Sequence, residues 1–203
     1  MTRWIAILAT AVLVATLGVM AYKGFGPKDV AGCGGGVTIA GGDIGGPFTL
    51  VDETGTTVTD ADVFTKPTLL YFGYTFCPDV CPLDSARNAE ALTLLQERGI
   101  DAQAAFITVD PKRDTVEEVA AFTDLFHPDM IGLTGSPEQT DAASKAYKTY
   151  YKINDEDDPE FYLVDHSTFT YLVLPESGFK TFYRRENTPE EIADTAACFI
   201  EAS

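Results

Sequence analysis

Histidine and positive charge are scarce in this chain. Its 203 residues include two histidines, and 14 Lys and Arg stand against 31 Asp and Glu, for a formal net charge of −17. A nucleic-acid footprint needs clustered Lys and Arg, so nucleic acid is excluded as a partner. Acidity of this size ordinarily serves solubility, and it also suits docking to a cationic surface. No internal repeat is visible, so the chain reads as one domain with an appendage. Cysteine is limited to four positions, 33, 77, 81 and 198. The amino end is too short and too poor in Arg and Ser for a mitochondrial presequence.

One long uncharged run is present. Trp4 to Tyr22 is 19 residues without a charge. As a helix it reaches about 28 Å, close to the thickness of a hydrocarbon core. Val19-Met20-Ala21 is a poor exit for a signal peptidase, so residues 1–22 are expected to be an uncleaved transmembrane anchor. Arg3 on one side and Lys23 and Lys28 on the other leave its orientation open. Val30-Ala31-Gly32-Cys33 looks like a lipoprotein cleavage box, but polar residues 23–29 separate it from the run, so lipidation is not expected. Residues 23–46 hold ten glycines and are expected to form a flexible tether.

From Pro47 onward, short apolar runs alternate with helical spacing. Strands are expected at 48–51, 68–71, 104–109, 131–134, 161–164, 169–174 and 180–184. Helices are expected from Pro82 to Arg98, from a cap at Asp114 or Thr115 to about Phe126, from Ser136 to about Tyr150, and from Thr188 onward. An acidic loop occupies 154–160. The alternation implies an α/β domain with a parallel core sheet, covered on both faces, and an antiparallel edge. A β-α-β opening with a β-β-α close is the thioredoxin arrangement. The expected fold is thus a thioredoxin-like domain at 47–203, a central mixed sheet flanked by helices, behind one N-terminal transmembrane helix. Active residues of open α/β sheets lie beyond the carboxyl ends of the strands.

Cys77 and Cys81 lie at such an end, in the stretch YFGYTFCPDVCP (71–82). Pro82 suits a first helical turn, and a helix amino terminus favours thiolate over thiol. The thiolate is both a nucleophile and a metal ligand. A spacing of four allows the pair to close a disulfide, as a redox-active dithiol, or to converge on a metal. Three intervening residues instead of the usual two of redox motifs lean towards metal. A third ligand would decide. His127, at a helix end, reads as a residue that satisfies terminal carbonyls. His166 lies between two late strands, at the junction where thioredoxins carry a proline; no proline occurs from 160 to 174. On spacing alone it reads equally as a surface histidine. Two thiolates and one imidazole are a soft set, suited to copper and above all Cu(I), whereas structural zinc would want four protein ligands.

Four separated stretches carry a resemblance: GGPFTL (45–50), YFGYTFCPDVCP (71–82), FITVDPKRDT (106–115) and VDHST (164–168). In content and order the chain is similar to the Sco/SenC family, membrane-anchored copper proteins that assist assembly of cytochrome c oxidase. The resemblance covers about Gly45 to the carboxyl end. It implies a thioredoxin-like fold and binding of Cu(I) or Cu(II) by Cys77, Cys81 and His166. It also implies a metallochaperone that delivers copper to the binuclear copper centre of the oxidase. Its partners would be the copper-bearing oxidase subunit, an upstream copper donor and a thiol reductant, since the receiving cysteines and these two must be reduced. The chain departs from the family pattern after Pro82, where Leu83-Asp84 stands in place of Thr or Ser.

Two alternatives stand beside this reading: a thiol-disulfide reductase for the oxidase cysteines, and a copper-dependent redox sensor signalling to a membrane kinase. A peroxidase is weaker, because peroxide would have to oxidise Cys77 or Cys81 to a sulfenic acid. The expected location is a bacterial inner membrane, single-pass, with the domain in the periplasm. Asp79 and the Asp110–Asp114 segment are near-site candidates, weighed against a plain turn and helix cap. Cys198 shares a polar helix face with Glu191, Asp194 and Glu201. An exposed free thiol is a liability in an oxidising compartment, so a Cys33–Cys198 disulfide is a hypothesis against two reduced, inert thiols.

Overall fold

The computed structural model describes Cys33, residues 44–156 and residues 158–203. The expected anchor, and all of the tether except Cys33 and residues 44–46, lie outside the described residues. Among the described residues no helix is long and apolar enough to cross a membrane.

The elements run β1 (Thr49–Asp52), β2 (Thr57–Thr59), α1 (Asp60–Val63), β3 (Thr68–Gly73), α2 (Val80–Glu97), β4 (Gln103–Thr108), α3 (Val116–Asp124), β5 (Met130–Thr134), α4 (Pro137–Ala146), β6 (Tyr151–Ile153), β7 (Val164–His166), β8 (Thr170–Leu174), β9 (Gly178–Tyr183) and α5 (Pro189–Glu201). Seven strands form one sheet in the order β2-β1-β5-β4-β3-β8-β9, and β6 pairs with β7 as a separate ribbon. β3, β4 and β5 are parallel, with antiparallel β1 beyond β5 and antiparallel β8 beyond β3. This is the expected central mixed sheet flanked by helices.

The sequence explains the centre. All six residues of β3 are buried, as a parallel strand covered on both faces requires. On one face Leu69 and Leu172 pack with Leu92 and Leu95 of α2 and Ile192 and Ala196 of α5. On the other, Phe72 of β3 and Tyr171 of β8 stack edge-on and Tyr147 fills between them; Phe106, beside Tyr71 on the α2 face, meets Phe122 of α3. Both Ser136 and Thr188 cap their helices with reciprocal boxes, followed by Pro in the first turn.

Several boundaries differ from expectation. α2 begins at Val80, two residues before Pro82, so Cys81 itself is helical. α3 is capped by Thr115, whose side chain accepts from Glu118 N–H, while Asp114 is engaged elsewhere. α4 ends at Ala146, not Tyr150, because Lys148 turns left-handed at φ +54°. The chain it releases becomes β6. Residues 161–163 are not a strand; β7 is Val164–His166, and His166 therefore sits within a strand, opposite Tyr151. β2, α1 and β6 are three or four residues long, too short to show a period in the sequence.

The disulfide hypothesis holds: Cys33 and Cys198 are bonded, with Cα atoms 5.6 Å apart. Cys77 and Cys81 are free.

Candidate metal centre

Beyond the carboxyl end of β3 the chain turns through residues 74–79 and enters α2. Cys77 and Cys81 flank that entry. His166 arrives from the other side on β7. The ligand atoms of Cys77, Cys81 and His166 all lie within 4.8 Å of one another. The closest pair is Cys81 Sγ and His166 Nε2, at 3.3 Å. Both cysteines are buried and His166 is half-buried. His127 plays no part. It lies on a surface turn after α3, where its Nδ1 accepts from the Asp129 N–H rather than serving a carbonyl.

The imidazole is oriented. His166 Nδ1 is 3.0 Å from the carbonyl oxygen of Ser167. A carbonyl only accepts, so Nδ1 carries a proton and Nε2 is the nitrogen turned towards the sulfurs. The rings of Tyr74 and Tyr71 stand edge-on to the imidazole, with centroids 5.8 and 6.1 Å away.

The two sulfurs are unequal. Cys77 Sγ accepts the N–H of Cys81 in the first turn of α2, at 3.4 Å. The hydrogen bond from Cys81 holds the Cys77 thiol down to about 3, against burial, with further help from His166 and the backbone N–H groups of Asp79 and Cys81. The same sulfur–sulfur bond and deeper burial push the Cys81 thiol up. Cys77 is thus the thiolate, and Cys81 keeps its proton to donate. Asp79 enters through its backbone; its side chain makes no cap.

A glycine makes room for Cys81. A Cβ placed on Gly73 would stand 3.0 Å from Cys81 Sγ and 2.9 Å from ring carbons of both Phe106 and Tyr71. Only glycine lets the helix entry settle this close to the strand end.

Two buried carboxylates fix the surrounding loops. Asp114 is fully buried; it accepts from Thr75 N–H at 2.9 Å, Thr75 O–H at 2.6 Å and Thr108 O–H at 2.5 Å. It thereby holds the loop that leads to Cys77. Asp110, also fully buried, accepts from Tyr162 O–H at 2.7 Å and pairs with Arg113 Nε at 2.5 Å. The Arg113 guanidinium lies 3.6 Å above the Tyr162 ring and donates to the Tyr162 carbonyl at 2.9 Å. The approach to β7 and His166 is therefore tied to the turn after β4. The Asp110–Asp114 segment is a turn, as weighed, yet neither acid caps a helix.

Sequence reasoning passed over Gly73, Thr75 and the carbonyl of Ser167. A glycine closing an apolar run beside a cysteine was a legible signal for the first. Nothing in the sequence marked the other two. The Leu83-Asp84 departure splits in space. Leu83 is exposed, while Asp84 is buried, accepting from Tyr71 O–H at 2.9 Å and pairing with Arg185 and Arg87 at 3.3 and 3.5 Å.

Two thiol sulfurs and an imidazole nitrogen fit a soft metal ion. Three ligands at about 2.3 Å in a trigonal plane stand about 4.0 Å apart, so this triad closes on an ion with sub-ångström movement.

The sequence model of the family SCO1/SenC matches residues 37–201. Protein SenC of Rhodobacter capsulatus is 54% identical over 200 residues, covering 97% of this chain and 90% of SenC. The mitochondrial Protein SCO1 homolog 1 of Arabidopsis thaliana is 43% identical over 152 residues, 74% of this chain but 45% of that longer protein. The crystal structure of Arabidopsis thaliana ScoI with copper bound superposes with a TM-score of 0.72 at 40% identity, covering 78% of this chain and 99% of that one. Yeast Sco1 with copper bound gives a TM-score of 0.73 at 33% identity, covering 80% of this chain and 91% of that one.

Proposed function

The chain belongs to the SCO1/SenC family, and on that premise we propose that it is a copper metallochaperone, not an enzyme, which takes copper as cargo on Cys77, Cys81 and His166. The observation that carries this is the convergence of Cys77 Sγ, Cys81 Sγ and His166 Nε2 within 4.8 Å at the open end of the sheet. Copper-bound structures of relatives at 40% and 33% identity support it. The residues divide the work. Cys77 offers a preformed thiolate. Cys81 gives up its proton when the ion arrives. The Ser167 carbonyl keeps Nε2 aimed inward. The half-buried imidazole closes one side and leaves an exit. The recipient is the copper-bearing subunit of cytochrome c oxidase, with an upstream donor and a thiol reductant. The domain works outside the cytoplasm of a bacterium, held to the inner membrane by residues 1–22. Anaerobic Cu(I) titration of wild type and His166→Ala tests the site. One equivalent bound tightly by wild type and a large loss of affinity in the variant are expected; equal affinity in both would remove His166 from the site.

One observation favours a second reading. A thiolate at Cys77 beside a protonated, buried Cys81 is the asymmetry a dithiol reductant needs. Cys77 would attack a partner disulfide and Cys81 would resolve the mixed disulfide. Two electrons and the Cys81 proton would pass to the partner, whose second sulfur leaves as a thiolate and takes its proton from solvent, leaving Cys77–Cys81 oxidised. His166→Ala separates the readings, because reduction survives without the imidazole and copper retention does not.

A further inference from the structure

Among the described residues six large apolar side chains are exposed, by 50% to 79%: Phe76, Leu83, Leu125, Tyr150, Phe161 and Leu163. Five of them are carried by the segments that bring in Cys77, Cys81 and His166. Phe76 precedes Cys77, and its ring meets that of Phe161 at 6.3 Å. Leu83 lies two residues beyond Cys81, in the first turn of α2. Tyr150 is bonded in both directions to Ser167, next to His166. Leu163 accepts from Asn154 N–H where the chain approaches β7. Only Leu125 stands elsewhere, at the end of α3.

These side chains are held outward by a rigid frame. The Arg113 guanidinium lies 4.8 Å over Phe76, and the N–H groups of Glu160 and Phe161 both bond Asp158. From 161 to 165 exposed and buried residues alternate strictly, so Tyr162 and Val164 anchor inward while Phe161 and Leu163 point out. An exposed apolar patch with a polar rim marks an interaction surface.

The rim is acidic. Asp79, Glu156, Asp158, Glu160 and Asp165 are exposed around it. Of the nearby cations, Lys112 pairs with Asp155 and Arg113 with Asp110, while Lys152 stands opposite Asp165 in the ribbon. That charge selects the occupant. A second copy would set acid against acid on chains of net charge −17. An anionic lipid surface would be repelled in the same way. We infer that this patch docks a protein whose copper-accepting cysteines lie in an apolar spot ringed by Lys and Arg. The rim steers the encounter and the five side chains seat it over His166, where cargo leaves.

The inference rests on the metallochaperone reading, and its partner there is the copper-bearing domain of the oxidase subunit. The test uses the full chain in detergent micelles with that domain, copper-free and with cysteines reduced, as the probe. Phe161→Ser and Leu83→Ser lie on exposed positions and leave the fold intact. Each weakens association by about tenfold or more, while Cu(I) affinity is unchanged. Raising salt from about 50 to about 500 mM slows association of the wild type. Association untouched by both variants, or absent in the wild type at low salt, overturns the docking surface. Cu(I) titration of the same samples keeps the two ideas apart. A wild type that binds copper but does not dock refutes the surface alone; one that docks but takes no copper refutes the metallochaperone reading alone.

Discussion

Cutting the Cys33–Cys198 bond should cost stability without touching copper. The bond closes a loop with a sequence separation of 165 residues, which embraces the whole sheet. Loop-closure entropy for that length removes about 17 cal/mol/K from the unfolded chain, or about 5 kcal/mol at 25 °C. At roughly 2–4 °C per kcal/mol for a domain of this size, Cys198→Ser should lower Tm by about 10–20 °C. The position predicts the second half of the outcome. Ile200, two residues beyond Cys198, lines a cavity with Pro67, which immediately precedes β3. Gly73, at the other end of β3, touches the Cys81 site. A six-residue strand spans roughly 17–20 Å, so the bond and the metal group sit at opposite ends of the sheet. The assay is thermal unfolding by near-UV circular dichroism, for Cys33→Ser, Cys198→Ser and the double variant, with Cu(I) titration alongside. The three should fall by the same amount, because either change alone removes the cross-link. A drop below about 1 kcal/mol, or singles that add in the double variant, would refute the entropic argument. A lost Cu(I) affinity would refute the separation of bond and site.

Gly73→Ala should place a methyl against Cys81 Sγ, Phe106 and Tyr71, cost about 1–3 kcal/mol in unfolding experiments, and weaken Cu(I) binding because the sulfur is the most easily displaced neighbour. Asp114→Asn should destabilise by about 2–4 kcal/mol, since an amide offers one acceptor oxygen where three hydrogens from Thr75 and Thr108 converge. The same variant carries a pH signature. Burial raises the Asp114 pKa, with bonds from Thr108 and Thr75 pulling it back, so the folded chain keeps this proton to higher pH than the unfolded chain. The wild type therefore loses that contribution as pH rises through the raised pKa; urea titrations across the acid range should show the slope in wild type and not in Asp114→Asn.

The sequence by itself determined the architecture and two-thirds of the site. A fully apolar run such as β3 can only be a covered central strand, and the capping boxes at Ser136 and Thr188 mark helix starts through local chemistry. Cys77 and Cys81 were legible as a pair because four residues across a helix entry is a local distance. Short pieces such as β2 and β6 were not, since three residues carry no period and form only when a neighbour supplies the hydrogen bonds. His166 was ambiguous for the same reason at longer range: 85 residues separate it from Cys81, and only the β6–β7 ribbon brings Nε2 to 3.3 Å from the sulfur. Tertiary structure also decided which thiol is ionised, through the sulfur–sulfur bond and the N–H groups of α2. It decided that Asp114 and Asp110 serve loops instead of helix caps, because their partners Thr75 and Tyr162 lie 39 and 52 residues away. Contacts set by backbone periodicity can be read along a chain; contacts set by how the sheet folds its loops together exist only once it has folded.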